Sequence, residues 1–443
     1  MHLAIVFGLT MLLAACGGGS SGTTTLWTGT RQLGAAGATV NTGGDATDAN
    51  GNVFITGDTD TGLDGNTLSG IRDFFVTKYD SGGTKRYTRE LGVANADTYG
   101  ADVATDSSGN VYVTGDTTGG LDGNTLAGTD DSFVSKYNSA GTKQYTRQLG
   151  VAGAATYGVA ITADSSGNIY VAGCTTGGLD GNTLSGSGDT DFFVTKYDSS
   201  GNKQWTRQLG VVGANTCAEG IATDAGGNVY VAGMTTGGLD GNTLSGSGDI
   251  DLSLTKYDSS GNKQWTQQLG VAGANTEPRA LAIDTNGNLY IAGWTTGGLD
   301  GNTLSGSGDA DLFVTKYDSS GAKQWTRQLG VAASGTTGTY GEGAATDGSG
   351  NVYVTGGTSG GLDGNTLTGT EDFFLVKYDS SGAKQWTRQL GVAGAKTQAS
   401  GAATDTGNNI FVAGWTKGGL DGNTLAGFQD MFITKYDSAG VNQ

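Results

Sequence analysis

The chain has 443 residues, among them 83 Gly, one Pro, three Cys and one His, and it carries 42 acidic against 24 basic side chains for a net charge of −18. A 36% hydrophobic share on top of the glycine suits a folded globular protein and excludes a disordered acidic tail, and the absence of a G-X-Y period excludes collagen. At pI 4.3 the chain lacks the clustered Lys and Arg that a phosphate backbone demands, so nucleic acid is not an expected partner.

The first segment, Leu3 to Ala15, is apolar but too short to span a bilayer, and it ends in Leu13-Ala14-Ala15-Cys16 followed by a Gly/Ser run. It resembles a bacterial lipoprotein signal peptide, with the departure that Met1-His2 offers no basic residue ahead of the apolar stretch. The resemblance implies that residues 1–15 are removed, that Cys16 is lipidated, and that residues 16–23 tether the rest, residues 24–443, to a membrane through the acyl chains alone. The expected address is the bacterial envelope, at the outer membrane or cell surface.

After the tether, repetition dominates. Leu-Asp-Gly-Asn-Thr-Leu begins at Leu63, Leu121, Leu179, Leu239, Leu299, Leu362 and Leu420, a period of about 60 residues. Each unit holds four short runs rich in β-branched and aromatic residues, separated by Asp/Asn/Ser/Gly turns such as Asp224–Asn228 and Asp258–Asn262. Four antiparallel strands, here A to D, repeated seven times predict an all-β, seven-bladed β-propeller, probed further by the chain ends. The seventh unit stops at Tyr436–Gln443, where its strand D should begin, and an orphan strand D, Leu26–Gly34, stands at the start. The N-terminal strand is therefore expected to complete the last blade and close the ring, leaving no long sheet edge exposed.

Asp191–Asp198, Gln204–Gly210 and Gly227–Gly233 resemble the bacterial seven-bladed β-propeller repeat (SBBP) family across residues 27 to 443. The resemblance implies an exported or surface protein and brings no catalytic residues.

Four places per unit are nearly always Asp, exemplified by Asp164, Asp180, Asp191 and Asp198, and they read as turn punctuation accepting backbone N–H groups. The loop from Gly178 to Asp191 could supply oxygens to calcium, but its spacing matches no helix-flanked calcium loop, and no cofactor or metal site is expected. Zinc lacks ligands, because beyond the first segment there is no His and only two Cys. The same inventory removes Ser-His-Asp and Cys-His catalysis, and leaves a carboxylate-based glycosidase or lyase as the enzyme alternative. The five glutamates, Glu90, Glu219, Glu277, Glu342 and Glu371, break the repeat, and Glu219, Glu277 and Glu342 share one region near strand A.

Seven otherwise uniform units become specific where they differ. Two columns vary on the face where the B–C and D–A connections open: Asp58, Asp116, Cys174, Met234, Trp294, Gly357 and Trp415 after strand B, and Asn41, Tyr99, Tyr157, Cys217, Glu277, Tyr340 and Gln398 before strand A. The strand D column, Trp27, Tyr87, Tyr145, Trp205, Trp265, Trp325 and Trp386, recurs and reads as packing between sheets. Candidate ligand-binding residues are thus Asp58, Tyr99, Asp116, Tyr157, Met234, Glu277, Trp294, Tyr340 and Trp415, able to stack on sugar rings or anchor a protein loop. Cys174 and Cys217 fall in adjacent blades on that face and are a candidate disulfide. The expectation is a monomeric, lipid-anchored binding or scaffold module for a glycan or protein.

Overall fold

The computed structural model describes residues 27–246, 249–305, 310–332 and 338–443; Cys16, the first segment and the tether lie outside them. Strands alternate with turns from end to end, and among the described residues the helical structure is limited to single 3-10 turns at the hexapeptides, such as Leu179–Gly181.

The strands form seven antiparallel four-stranded sheets. Blade 4 is typical, with A at Thr216–Thr223, B at Val229–Thr235, C at Asp251–Tyr257 and D at Lys263–Leu269. Blade 7 takes strand D from the other end of the chain: Arg31–Leu33 pairs with Asp430–Tyr436, placing Gln32 opposite Phe432. The A strands of successive blades contact one another and ring the axis. Strands B and C are buried along nearly their whole length because each lies between two neighbouring blades, which explains their unbroken Val/Ile/Phe/Tyr runs.

The core accordingly sits between blades. Tyr170, Ala172, Phe192 and Val194 of blade 3 pack on Ala218, Ile221, Val229 and Val231 of blade 4, and the other seams repeat the arrangement. At the outer edge Trp205 of strand D lies over Gly261 in the next blade, where φ is +80° and a Cβ would come within 2.9 Å of the indole. Arg207 then donates Nε to the Gly261 carbonyl at 2.6 Å and stacks on Trp205 at 5.3 Å.

Three of the four aspartate columns do accept backbone N–H groups. Asp164 takes those of Ser166 and Asn168, Asp198 those of Ser200 and Asn202, and Asp191 that of Ser185 together with the Gln208 amide. The hexapeptide aspartate corrects the expectation. Asp180 has φ +51°, and this left-handed backbone turns its carboxylate onto strand D, where it meets Lys203 and accepts from the Thr206 hydroxyl at 2.5 Å.

Candidate binding site at the axial mouth

The two variable columns are not loop residues. Each lies inside a strand, and its members face one another directly: Asn41 with Asp58, Tyr99 with Asp116, Tyr157 with Cys174, Cys217 with Met234, Glu277 with Trp294, Tyr340 with Gly357 and Gln398 with Trp415. The ladder extends to the rim through glycines such as Gly100 and Gly115, whose weak strand propensity hides it in the sequence.

Around the rim the strand B member of one blade reaches the strand A member of the next. Cys174 and Cys217 are joined as a disulfide with Cα atoms 4.9 Å apart, tying blade 3 to blade 4. Trp294 of blade 5 meets Tyr340 of blade 6 edge to face, with ring centroids 5.6 Å apart. Between blades 1 and 2 the link runs through Arg72, which donates to Asp58 at 2.5 Å and sits 6.0 Å over the Tyr99 ring. Asp58 also accepts from the Asn41 amide and is 7% exposed, so its hydrogen bonds are already spent inside the protein. Tyr157 is exposed, whereas Met234, Glu277, Trp294, Tyr340 and Trp415 are half-buried. Asp116 is half-buried as well, and burial, reinforced by Asp130, Asp58 and Asp97, raises its carboxyl to about 7. Trp415 carries Lys396 and Lys417 at 5.4 and 5.8 Å from its ring, and Lys396 pairs with Glu371 at 2.9 Å.

Below the rim every strand A breaks its register with a β-bulge, between Ala218 and Gly220 in blade 4 and between Pro278 and Ala280 in blade 5. The extra residue aims at the axis. Small residues fill this column in blades 1 and 2, but in blades 4, 5 and 6 it holds Glu219, Arg279 and Glu342, which line an axial cavity of about 390 Å³. The Arg279 guanidinium lies 3.1 Å from Glu277, 3.8 Å from Glu342 and 3.9 Å from Glu219. Burial raises the Glu219 and Glu342 carboxyls to about 7 in spite of that arginine. The opposite wall carries Asp45 and Asp102.

Of the five pattern-breaking glutamates, three therefore surround Arg279. Glu371 serves the Trp415 rim, and Glu90 accepts the Leu63 amide as Gln148 accepts that of Leu121 in the next blade. Sequence reading passed over Arg279, Asp45 and Asp102. A column-by-column comparison would have shown them, since each is a charge among small or apolar equivalents. No group of three or more His, Cys, Asp or Glu side chains converges on a metal position among the described residues.

The family model described as beta-propeller repeat (SBBP) matches residues 29–64, 86–122, 144–180, 204–240, 264–300, 324–363 and 385–421. The chain belongs to the SBBP beta-propeller repeat family. This SBBP propeller is 26% identical over 432 residues to the regulatory protein FlaEY of Caulobacter vibrioides, a match covering 86% of this chain and 43% of that protein. It is also 26% identical to an uncharacterized WD repeat-containing protein of Acanthamoeba polyphaga mimivirus, covering 79% of this chain and 31% of the other. The SBBP chain thus spans less than half the length of either relative. Among solved structures it is similar to the WD40 propeller domain of Doa1, at 9% identity and TM-score 0.48 over 94% of this chain and 100% of the other. It is also similar to an ulvan lyase, at 13% identity and TM-score 0.49 over 90% and 95%.

Proposed function

We propose that this SBBP propeller is a binding module that seats a glycan or protein on its axial face over blades 5 and 6, held at a bacterial envelope through Cys16. The observation that carries the reading is one contiguous patch: Trp294 edge to face with Tyr340, Glu277 directly across the ladder from Trp294, and Arg279 3.1 Å from Glu277. Half-buried rings offer stacking faces, and the charged groups beside them offer hydrogen bonds to hydroxyls, the combination by which concave sites orient polar ligands. The columns that repeat, including strand D, are consumed by packing between blades, so specificity is left to this departure from sevenfold repetition.

The test is a screen of the full-length protein against glycans and envelope proteins, followed by Trp294→Ala and Tyr340→Ala. Binding that both substitutions abolish supports the reading. A ligand that neither weakens, or no ligand at all, removes it.

One observation favours a second reading, a carbohydrate-active enzyme. Glu219 and Glu342 flank Arg279 in one cavity with carboxyls near 7, the range in which a general acid keeps its proton at neutral pH. Release of reducing ends or unsaturated sugars from a polysaccharide panel, abolished by Glu342→Gln, would favour it over the binding module.

A further inference from the structure

Asp45 occupies a strand A position that is Val103, Ile161, Ile221 and Leu281 in blades 2 to 5. Asp102, in blade 2, stands where blades 3, 4 and 5 have Ala160, Gly220 and Ala280. Both line the axial cavity on the wall away from Arg279.

Their hydrogen bonding differs in a way that matters. Asp102 is satisfied, accepting the amides of Val103 at 2.8 Å and of Ile161, in the next blade, at 2.9 Å. Asp45 is not. Both of its carboxylate oxygens are sealed from solvent and neither has a hydrogen-bond partner among the described residues, the one group easing its charge being its own amide. One oxygen lies so close to Gly401 of blade 7 that a Cβ there would be 2.1 Å away. Burial, with Asp102 adding to it, holds the Asp45 carboxyl well above the usual range. An aspartate in an apolar column with no partner costs stability, so the fold alone gives no reason for it.

We infer that the axial cavity takes a small organic cation, whose ammonium donates hydrogen bonds to the free oxygens of Asp45 beside Asp102. This rests on the reading of the axial opening as the binding face. The cavity wall carries Asp45, Asp102, Glu219 and Glu342 against the single Arg279, a balance that attracts positive charge. Arg279 is already bracketed by three glutamates, so an anionic group has no open partner there. An ammonium with three donors fits two vacant acceptor oxygens and a neighbouring carboxylate, whereas a hard metal ion wants a cage of oxygens that the described residues do not assemble. At about 390 Å³ the cavity has room for a monosaccharide-sized ligand.

Calorimetry on the full-length protein with glucosamine, glucose and calcium chloride as probes tests this. Glucosamine should bind while glucose, lacking the ammonium, should be weaker by about tenfold or more, and calcium should not compete. Asp45→Val, which installs the residue type of the equivalent column, should melt higher than the parent and lose glucosamine by a similar factor. Asp45→Asn, close to isosteric, is the second variant should Val fail to pack. Equal binding of glucose and glucosamine, or glucosamine binding retained by both variants, overturns the inference. So does calcium binding that either variant abolishes. A screened ligand that still depends on Trp294 while glucosamine fails removes this inference and leaves the binding module standing; failure of both removes the two together.

Discussion

Gln267 stands across from Gly321 at the seam between blades 4 and 5, where each of the other six seams has an arginine donating Nε to the facing glycine carbonyl, as Arg89 does to Gly141 at 2.8 Å and Arg388 to Gly440 at 2.7 Å. The indole below it, Trp265 on Gly321, is kept. Gln267→Arg should therefore add one charge-assisted bond and a stacked cation, raising stability by about 1 kcal/mol in thermal unfolding, and Arg207→Gln should lower it by a similar amount. Equal melting of Gln267→Arg and the parent would show that the seam arginines are decoration.

Removing the disulfide should loosen one sector of the ring. Cys174 and Cys217 are 43 residues apart, and chain-entropy arithmetic for such a loop gives about 4 kcal/mol as an upper value. Cys217→Ser should lower the melting temperature of the non-reduced protein and leave it indifferent to reductant. Two free thiols in the natively purified parent, seen by mass spectrometry, would contradict the pairing.

Deleting residues 23–35 takes away the strand that pairs with Asp430–Tyr436 and exposes that strand's edge. Loss of a single cooperative transition, or aggregation, is expected in calorimetry. A truncated protein melting like the parent would mean that the ring does not need its latch.

The axial carboxyls set a pH dependence. Burial raises Asp102, Glu219 and Glu342 to about 7, so the folded state holds their protons more tightly than the unfolded chain, whose carboxyls titrate near pH 4. Their contribution is full below about pH 4 and declines as pH rises through about 7. The turn aspartates Asp106, Asp164, Asp224 and Asp347, which hydrogen bonds from Asn and Tyr hold below the usual range against the cost of burial, oppose this only in the acid region. Melting temperature should therefore fall between pH 5 and pH 8, and Glu342→Gln should flatten the slope and melt higher at pH 8. A parent that gains stability across that interval would refute the assignment.

The ring was readable because its information is local and repeated. Strand pattern, turn residues and hexapeptide recur in every unit, and the orphan strand around Trp27 announced closure before any coordinates. The rim was half readable. Trp294, Tyr340 and Glu277 stood out by variation, but their direct pairing across the ladder and the contact of Trp294 with the next blade depend on register and on ring geometry. Arg279 and Asp45 were illegible for a different reason. Their meaning lies in which side chains meet across the axis from blades far apart in sequence, and no spacing rule along one chain encodes that.

The latch also sets an order of events. Gln32 donates its amide to Asp430 at 2.9 Å, and the two residues are 398 positions apart in the chain. Blades 1 to 6 are each complete as soon as their own residues have been made, so they can form hairpin by hairpin with short loops to close. Blade 7 cannot. Its outermost strand is among the first segments synthesised and must wait, unpaired, until the last strand arrives, which makes ring closure a late and long-range event, and makes that waiting edge the moment at which a neighbouring chain can intrude.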